Sequence, residues 1–215
     1  GVHFVLSDNK ELKTVATDSH RMSQKVITLE KNGDNFDVVI PSRSLREFTS
    51  VFSDDIETVE VFFANNQILF RSEHISFYTR LLEGNYPDTD RLIPTEFNTE
   101  ATFNVANLRF AMERARLLSN ATQNGTVKLE FKNGVVSSHV HSPEVGRVNE
   151  EIDTSAVSGE DLSISFNPTY LIEALKAIDS EQFVIRFISS VRPFTLVPEG
   201  NEQGFIQLMT PVRTN

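Results

Sequence analysis

The sequence contains no cysteine, and no hydrophobic run approaches the roughly 18 residues that a membrane-spanning helix needs. Without cysteine the chain cannot form a disulfide, a thiolate nucleophile or a cysteine-ligated zinc site. We therefore expect a cytoplasmic protein without a membrane segment. The nine glycines form neither a GxGxxG nor a GxxxxGK motif, so the sequence gives no sign of a phosphate-binding loop.

Acidic residues outnumber basic ones, and no pair of carboxylates stands out among them. The 215 residues include 30 Asp and Glu against 20 Lys and Arg, which gives a net charge of −10. Taken alone, this balance argues against a nucleic-acid-binding protein, because phosphate contacts need clustered Lys and Arg. The hydrophobic content of 39% is that of a globular protein. The chain also begins without methionine, inside a strand-like pattern, so we expect a piece of a longer protein.

Short alternating segments predict mostly β-structure. The stretch TVKLEFKNGVVSS has the pattern of a hairpin with Asn133-Gly134 in a type I′ turn. The stretch VEVFFANNQILFRS repeats this pattern with Asn65-Asn66 at its tip. Further strands are predicted in HISFYTRLL, QFVIRFI, PFTLV and GFIQLM.

Three segments have helical periodicity instead. They are 41–52 with Pro41 and a Ser44-x-x-Glu47 capping box, 105–118 after the cap residue Asn104, and 168–178 after Asn167-Pro168. Their predicted apolar faces are Leu45, Phe48, Val51 and Phe52; Leu108, Ala111, Met112, Ala115 and Leu118; and Leu171, Leu175 and Ile178.

The chain also resembles itself. An offset of 126 residues aligns DVVIPSRSLREFTSVF with SISFNPTYLIEALKAI, and each copy reads as strand, helix and a pair of strands. Such self-similarity indicates a structural duplication, hence two similar domains. The second copy has the additional helix 105–118 before its strands, for which the first copy has no counterpart.

Asp18, Ser19 and His20 are the residue types of a hydrolytic triad, but their order argues against one. On an extended strand Asp18 and His20 point to one face and Ser19 to the other. No Gly-x-Ser-x-Gly elbow accompanies them. We therefore predict no catalytic residue, and a hydrolase that uses Ser19 and His20 is the alternative.

His139 and His141, with Glu144 nearby, have the only metal-like spacing. Residues two apart on a strand share a face, so a site is geometrically possible. No second cluster supplies the missing ligands, so we predict neither a metal nor another cofactor. A metal-dependent enzyme that uses His139 and His141 is the second form of the alternative.

The helices 41–52 and 105–118 have a positive balance in an otherwise acidic chain. Their arginines are Arg43, Arg46, Arg109, Arg114 and Arg116, against Glu47 and Glu113. Arg109 and Arg116 are seven residues apart and lie on nearly one polar stripe. An ordinary solvated helix face would explain these counts, but arginines spaced along a helix also suit contact with a phosphate backbone without reading bases.

Five stretches coincide with one family: TVATDSHRM, VIPSRSLREF, LLEGNYPD, ERARLLSN and the ending LMTPVRT. Together they resemble the bacterial DNA polymerase III beta subunit, the replication sliding clamp, over essentially the whole chain. The resemblance implies an α+β DNA-clamp fold with antiparallel sheets outside and helices on the DNA-facing side. It implies a middle domain, incomplete at its N-terminus, over residues 1–95 and a C-terminal domain over 96–215.

By the same resemblance, two full-length protomers would close into a ring around duplex DNA, with the five arginines facing the DNA. Replicative polymerase, clamp loader and other partners would insert a peptide of the Gln-Leu-x-Leu-Phe type into a pocket between the two domains. The implied pocket residues are Thr17, His20, Arg21, Met22, Pro87, Arg91, Leu92, Val191, Pro193, Leu208, Met209, Pro211, Val212 and Arg213. Ser19 and Pro193 depart from the family pattern, which we expect to alter peptide preference rather than abolish the pocket.

The implied function is a non-enzymatic processivity factor, because a ring that encircles DNA cannot readily dissociate. Ring closure would use the first and third domains of the family. We therefore expect this chain alone to be unable to close a homodimeric ring.

Overall fold

A computed structural model describes residues 1–53, 55–119, 125–142, 146–201 and 203–213. Glu144 lies outside these residues. Within them the fold is α+β, with three α-helices, sixteen strands and a short 3-10 helix at Asp90–Leu92. None of the described helices is long and apolar enough to cross a membrane. The chain divides into two compact units: unit 1 comprises Gly1–Thr17 and Gln24–Asp88, and unit 2 comprises Asp18–Ser23 and Thr89–Asn215.

Unit 1 contains two antiparallel arrays of strands and one helix. The strands are β1 Val2–Ser7, β2 Glu11–Thr17, β3 Arg21–Thr28, β4 Phe36–Ile40, β5 Glu60–Ala64, β6 Gln67–Arg71 and β7 Ser76–Arg80, and the helix is α1 Ser42–Val51. The first residues of β3 lie in the segment assigned to unit 2. The orders are β3-β2-β1-β4 and β5-β6-β7. The hairpin predicted around Asn65-Asn66 is therefore the β5–β6 pair.

The core of unit 1 is small and rich in phenylalanine. Its buried members are Ile40, Phe52, Ile68 and Phe70, with Phe48 of α1 packed against them. Phe48 contacts the rings of Phe52 at 4.4 Å and Phe70 at 4.7 Å between centroids. Aromatic pairs at such distances stabilise a core beyond their buried area.

Two expectations for α1 were wrong. Val51, predicted on the apolar face, is 46% exposed. The Ser44–Glu47 capping box does not form, because α1 begins at Ser42 and Ser44 therefore lies inside the first turn, where its hydroxyl bonds to that of Thr79 at 2.8 Å. Pro41 occupies the N-cap position without a side-chain hydrogen bond.

Unit 2 contains the remaining elements. The strands are β8 Thr99–Asn104, β9 Val127–Lys132, β10 Val135–Ser142, β11 Gly146–Ile152, β12 Ala156–Gly159, β13 Leu162–Phe166, β14 Gln182–Phe187, β15 Phe194–Pro198 and β16 Phe205–Met209, and the helices are α2 Val105–Ser119 and α3 Pro168–Lys176. The antiparallel orders are β11-β10-β9-β13 and β12-β8-β14-β15-β16. Asn133 and Gly134 have φ values of 53° and 79°, so the predicted type I′ turn joins β9 to β10.

Both helices of unit 2 begin at the predicted caps. The Asn104 side chain accepts the N–H of Asn107 at 3.1 Å, and Asn167 accepts that of Thr169 at 2.9 Å. These bonds satisfy amide groups that the first helical turn leaves without partners. The buried helix residues that face the core are Val105, Leu108, Ala111, Met112, Ala115, Leu171, Ile172, Ala174 and Leu175. Ile178, predicted on the same helix face, is also in this core but follows the end of α3.

The predicted duplication is visible in the element order. β4 is followed by α1 and β5-β6-β7, and β13 is followed by α3 and β14-β15-β16. The strands that precede β4 and β13 also have matching orders, β3-β2-β1-β4 and β11-β10-β9-β13. Unit 2 adds β8, α2 and β12 to this shared pattern.

Candidate functional site

The stretch Asp18–Ser23 contains the connection from β2 to β3 and the first three residues of β3, and by its contacts it belongs to unit 2. Residues 18–20 form a bend and not the extended strand that the sequence suggested. The Asp18 N–H donates to the Arg21 carbonyl at 3.1 Å and closes this bend. Ser19 and His20 are therefore displayed on a connection and are both exposed.

The Asp18 carboxylate forms its hydrogen bonds within the bend. Its Oδ1 accepts the main-chain N–H of His20 at 2.8 Å and that of Arg21 at 3.0 Å, and its Oδ2 accepts Arg21 Nε at 3.1 Å. Burial would raise the pKa of Asp18, but these hydrogen bonds outweigh it and hold the pKa below its usual value. Because the carboxylate binds main-chain N–H groups, it does not orient the His20 ring as a triad requires.

Arg21 is held by groups that are distant in the sequence. Its Nη1 donates to Glu173 Oε2, and its guanidinium lies over the Tyr170 ring, 4.5 Å from the centroid. Burial would lower the pKa of Arg21, but the bonds to Glu173 and Asp18 raise it overall. The His20 ring stacks on Tyr170 with 6.0 Å between centroids. We call these five residues, Asp18, His20, Arg21, Tyr170 and Glu173, the Arg21 cluster.

Tyr170 and Glu173 were absent from the residues predicted for the site. Both lie on α3, three residues apart, so they share one face of the helix. The sequence did predict this helix, and their i, i+3 spacing was visible in it. What it lacked was any sign that this face meets Arg21, 152 residues away from Glu173.

The end of the chain reaches the same place. The Thr210 N–H and its hydroxyl both donate to the His20 carbonyl at 2.9 Å. The Val212 N–H donates to the Ser165 carbonyl at 2.7 Å, at the end of β13 just before α3. The structure therefore brings together the Asp18–Ser23 bend, the start of α3 and the residues after β16.

The apolar residues near the C-terminus differ in exposure. Leu208 and Met209 are 5% and 1% exposed, and Met209 is part of the unit 2 core. Both are buried because β16 continues a sheet up to Met209. Pro211 is half-buried, Val212 is 37% exposed, and Arg213 is exposed. The accessible apolar surface of this segment therefore begins after the strand.

The other predicted pocket residues vary in the same way. Within unit 2, Leu92 and Val191 are 51% and 55% exposed, Arg91 is exposed, Pro193 is half-buried and Met22 is buried. Within unit 1, Thr17 ends β2 and Pro87 precedes the boundary, and both are exposed. Their role in binding a peptide stays a prediction.

The five arginines predicted to face DNA have acidic or aromatic neighbours in several cases. Arg43 donates to Glu47 at 3.1 Å, Arg109 lies 3.9 Å from Glu113 and 5.2 Å from the Phe110 ring centroid, and Arg114 pairs with Glu150. The Glu150 bond raises the pKa of Arg114. Arg46 is exposed and Arg116 is half-buried. Their orientation toward DNA also stays a prediction.

The two histidines of β10 bind neighbouring side chains. The His139 ring contacts Ser137 and Asn149, each at 2.8 Å, and lies 3.4 Å from Glu130. Arg147 Nε donates to His141 Nδ1 at 3.3 Å. In the part of the chain that the structure describes, no three His, Cys, Asp or Glu side chains are grouped to hold a metal ion.

Two family models match the chain. The model of the DNA polymerase III beta subunit central domain matches residues 1–88, and that of its C-terminal domain matches residues 90–213. A beta sliding clamp of Streptococcus pneumoniae serotype 4 is 80% identical over 215 residues, which are all of this chain and 57% of that protein. The chain thus spans little more than half the length of such relatives.

Solved structures agree with these matches. The DNA polymerase III beta chain of Streptococcus pneumoniae has a TM-score of 0.97 and 79% identity, over all of this chain and 57% of that one. The DNA polymerase sliding clamp of Bacillus subtilis has a TM-score of 0.94 and 36% identity, with the same coverage. The expected α+β clamp fold is confirmed, and the chain belongs to the DNA polymerase III beta subunit family.

Proposed function

We propose that this chain is the partner-binding part of a bacterial replication clamp, a non-enzymatic cytoplasmic processivity factor. The observation that carries this proposal is the match of the two domain models to residues 1–88 and 90–213. In the full-length protein, two protomers would form a ring around duplex DNA. The ring would act by topology, because encirclement opposes dissociation without a tight contact.

The surface that we propose for partner peptides lies within unit 2, around the Arg21 cluster. We assign to it the Tyr170 ring, which covers Arg21, and the side chains of Val212, Val191 and Leu92, which are exposed in unit 2. Peptide sites of this kind use a few aromatic or aliphatic contacts with polar groups that fix orientation. A Gln-Leu-x-Leu-Phe peptide supplies the matching apolar side chains.

The test is titration of a labelled Gln-Leu-Ser-Leu-Phe peptide with this chain by fluorescence anisotropy. We expect saturable binding that Tyr170→Ala weakens at least tenfold, because the ring supports both His20 and Arg21. Tyr78→Ala is the matched control, since Tyr78 is a 72% exposed tyrosine of unit 1. No binding to the unmodified chain, or equal loss in both variants, would contradict the proposal.

The DNA-facing role is tested separately in the full-length protein. Arg109→Glu and Arg116→Glu together should shorten retention on nicked circular DNA, because they place negative charge near the phosphates. Arg147→Glu, on β11, is a matched reversal of charge outside the helices. Unchanged retention in the double variant would exclude these arginines from the DNA-facing surface.

A further inference from the structure

Arg21 has two carboxylate partners and not one. Its Nε donates to Asp18 and its Nη1 to Glu173, while Tyr170 covers one face of the guanidinium. Its side chain is 35% exposed, so the guanidinium is accessible but already engaged. One cation therefore faces two anions, which leaves these three side chains with an excess of negative charge.

The two carboxylates have different tasks. Asp18 accepts two main-chain N–H groups of its own bend, so removing it would disturb the Asp18–Ser23 backbone. Glu173 projects from α3, its side chain is 51% exposed, and its described contact is Arg21. Glu173 can therefore change the charge of the surface without supporting the fold of the bend.

The position of Glu173 is fixed by the helix that carries it. Asn167 caps α3, and Leu171, Ile172 and Leu175 anchor it in the core. Tyr170 lies three residues before Glu173, on the same face. The ring and the carboxylate thus project from one anchored helix and contact the same guanidinium.

We propose that Glu173 is a positioning residue that determines charge specificity: by engaging Arg21, it makes this surface select peptides that are uncharged where they meet the cluster. This inference rests on the proposed peptide-binding function. To reach Arg21, a ligand carboxylate would have to displace Glu173 or bind close to the negative charge of Glu173. A neutral amide or hydroxyl meets neither cost, and selectivity of this kind arises from repulsion of the wrong ligand.

The test compares three forms of one peptide. Gln-Leu-Ser-Leu-Phe with a C-terminal amide is neutral at both ends when its N-terminus is acetylated. The same peptide with a free C-terminal carboxylate, and the amide with Glu in place of Gln, each add one negative charge. Each is titrated against unmodified chain, Glu173→Gln, Glu173→Asp and Glu199→Gln, at low and at high salt. Glu199 is an exposed carboxylate of unit 2 that follows β15 and gives the matched loss of charge.

We expect the unmodified chain to prefer the neutral peptide. Glu173→Gln should improve binding of at least one charged peptide relative to the neutral one by about 3- to 10-fold at low salt. The gain should disappear at high salt, because screening shortens the reach of exposed charges. Glu173→Asp should retain the preference of the unmodified chain for the neutral peptide, and Glu199→Gln should not change this preference.

The outcomes separate this inference from the function on which it rests. If no peptide binds the unmodified chain, the proposed peptide-binding function fails. If all three peptides bind Glu173→Gln with the original preference, or lose affinity equally, Glu173 has no role in charge specificity and the inference is overturned. A thermal melt of each variant identifies any general loss of folding.

Discussion

Units 1 and 2 share one order of elements, but the corresponding strands of the two units differ in how deeply they are buried. In unit 2, β8 pairs with the outer edge of β14, and α2 packs on the sheets. In unit 1, the corresponding sheet is β5-β6-β7, and β5 is its edge among the described residues.

The difference is visible in the side chains of the two corresponding strands. Phe183, Ile185 and Phe187 of β14 are each 0% exposed. Val61 and Phe62 of β5 are 42% and 41% exposed. Within the described residues, β14 is therefore the centre of a core, whereas β5 is a half-exposed edge of the kind that can pair with other chains.

The largest effect that we expect comes from placing a charge on each of these strands. Ile185→Lys should unfold unit 2, because an unpaired charge in a closed core costs more than about 4 kcal/mol. Val61→Lys should change the free energy of unfolding by less than about 1 kcal/mol and reduce self-association. Urea unfolding followed by circular dichroism, with sedimentation velocity, measures both.

Equal destabilisation by the two lysines would contradict the difference in burial between β14 and β5. It would mean that β5 is covered in solution as completely as β14. Val61→Thr is the matched control, since it preserves a β-branched side chain without adding charge.

A smaller effect is expected from shortening a leucine on the helix of each unit. Leu108 of α2 is 0% exposed, and Leu108→Ala should lower the free energy of unfolding by about 2–5 kcal/mol. Leu45 of α1 is only half-buried, so Leu45→Ala should cost less than half as much. Urea midpoints at constant slope give both values, and a larger loss for Leu45→Ala would reverse the ranking of the two cores.

The helix caps give a smaller difference between the two units, of about 1 kcal/mol in the free energy of unfolding. Asn167→Ala removes the acceptor for the Thr169 N–H and should cost about 0.5–2 kcal/mol, whereas Asn167→Asp should preserve most of the stability. The cap position of α1 has no such bond to lose. Thermal melts of the two Asn167 variants test this, and equal losses would show that the hydrogen bond is not the cause.

The smallest effect concerns Asp18, which is partly exposed. Because its pKa is lowered in the folded chain, its ionised form stabilises the fold above the unfolded pKa of about 3.9. This contribution is lost as the pH falls through the lower folded pKa. The difference in free energy of unfolding between the unmodified chain and Asp18→Asn should therefore be present at pH 6 and shrink below about pH 4. A difference that stays constant down to pH 2 would exclude the carboxylate charge as its source.

Local signals predicted the fold well. The caps Asn104 and Asn167 and the Asn133-Gly134 turn act on neighbouring residues, so their sequence is enough to recognise them. The 126-residue repeat predicted the shared element order, because both copies preserve the same spacing of apolar residues.

Exposure and tertiary contacts were harder to predict. Val51 has the spacing of a buried helix residue, but what covers a helix face depends on other elements. Ser44 has the spacing of a capping box, but α1 begins two residues earlier, at Ser42, so Ser44 is not its cap residue. The pairing of Arg21 with Glu173 and Tyr170 leaves no local trace, since residues that are distant in the sequence meet only in the folded chain.

The hydrogen bond from Thr210 to the His20 carbonyl spans 190 residues. Closing so long a loop has an entropic cost that local hairpins such as β9–β10 avoid. We therefore expect the hairpins to form early in folding and the Asp18–Ser23 bend to dock last. The surface proposed to bind peptides would then exist only in molecules that have completed folding, and peptide binding would report the final step of refolding.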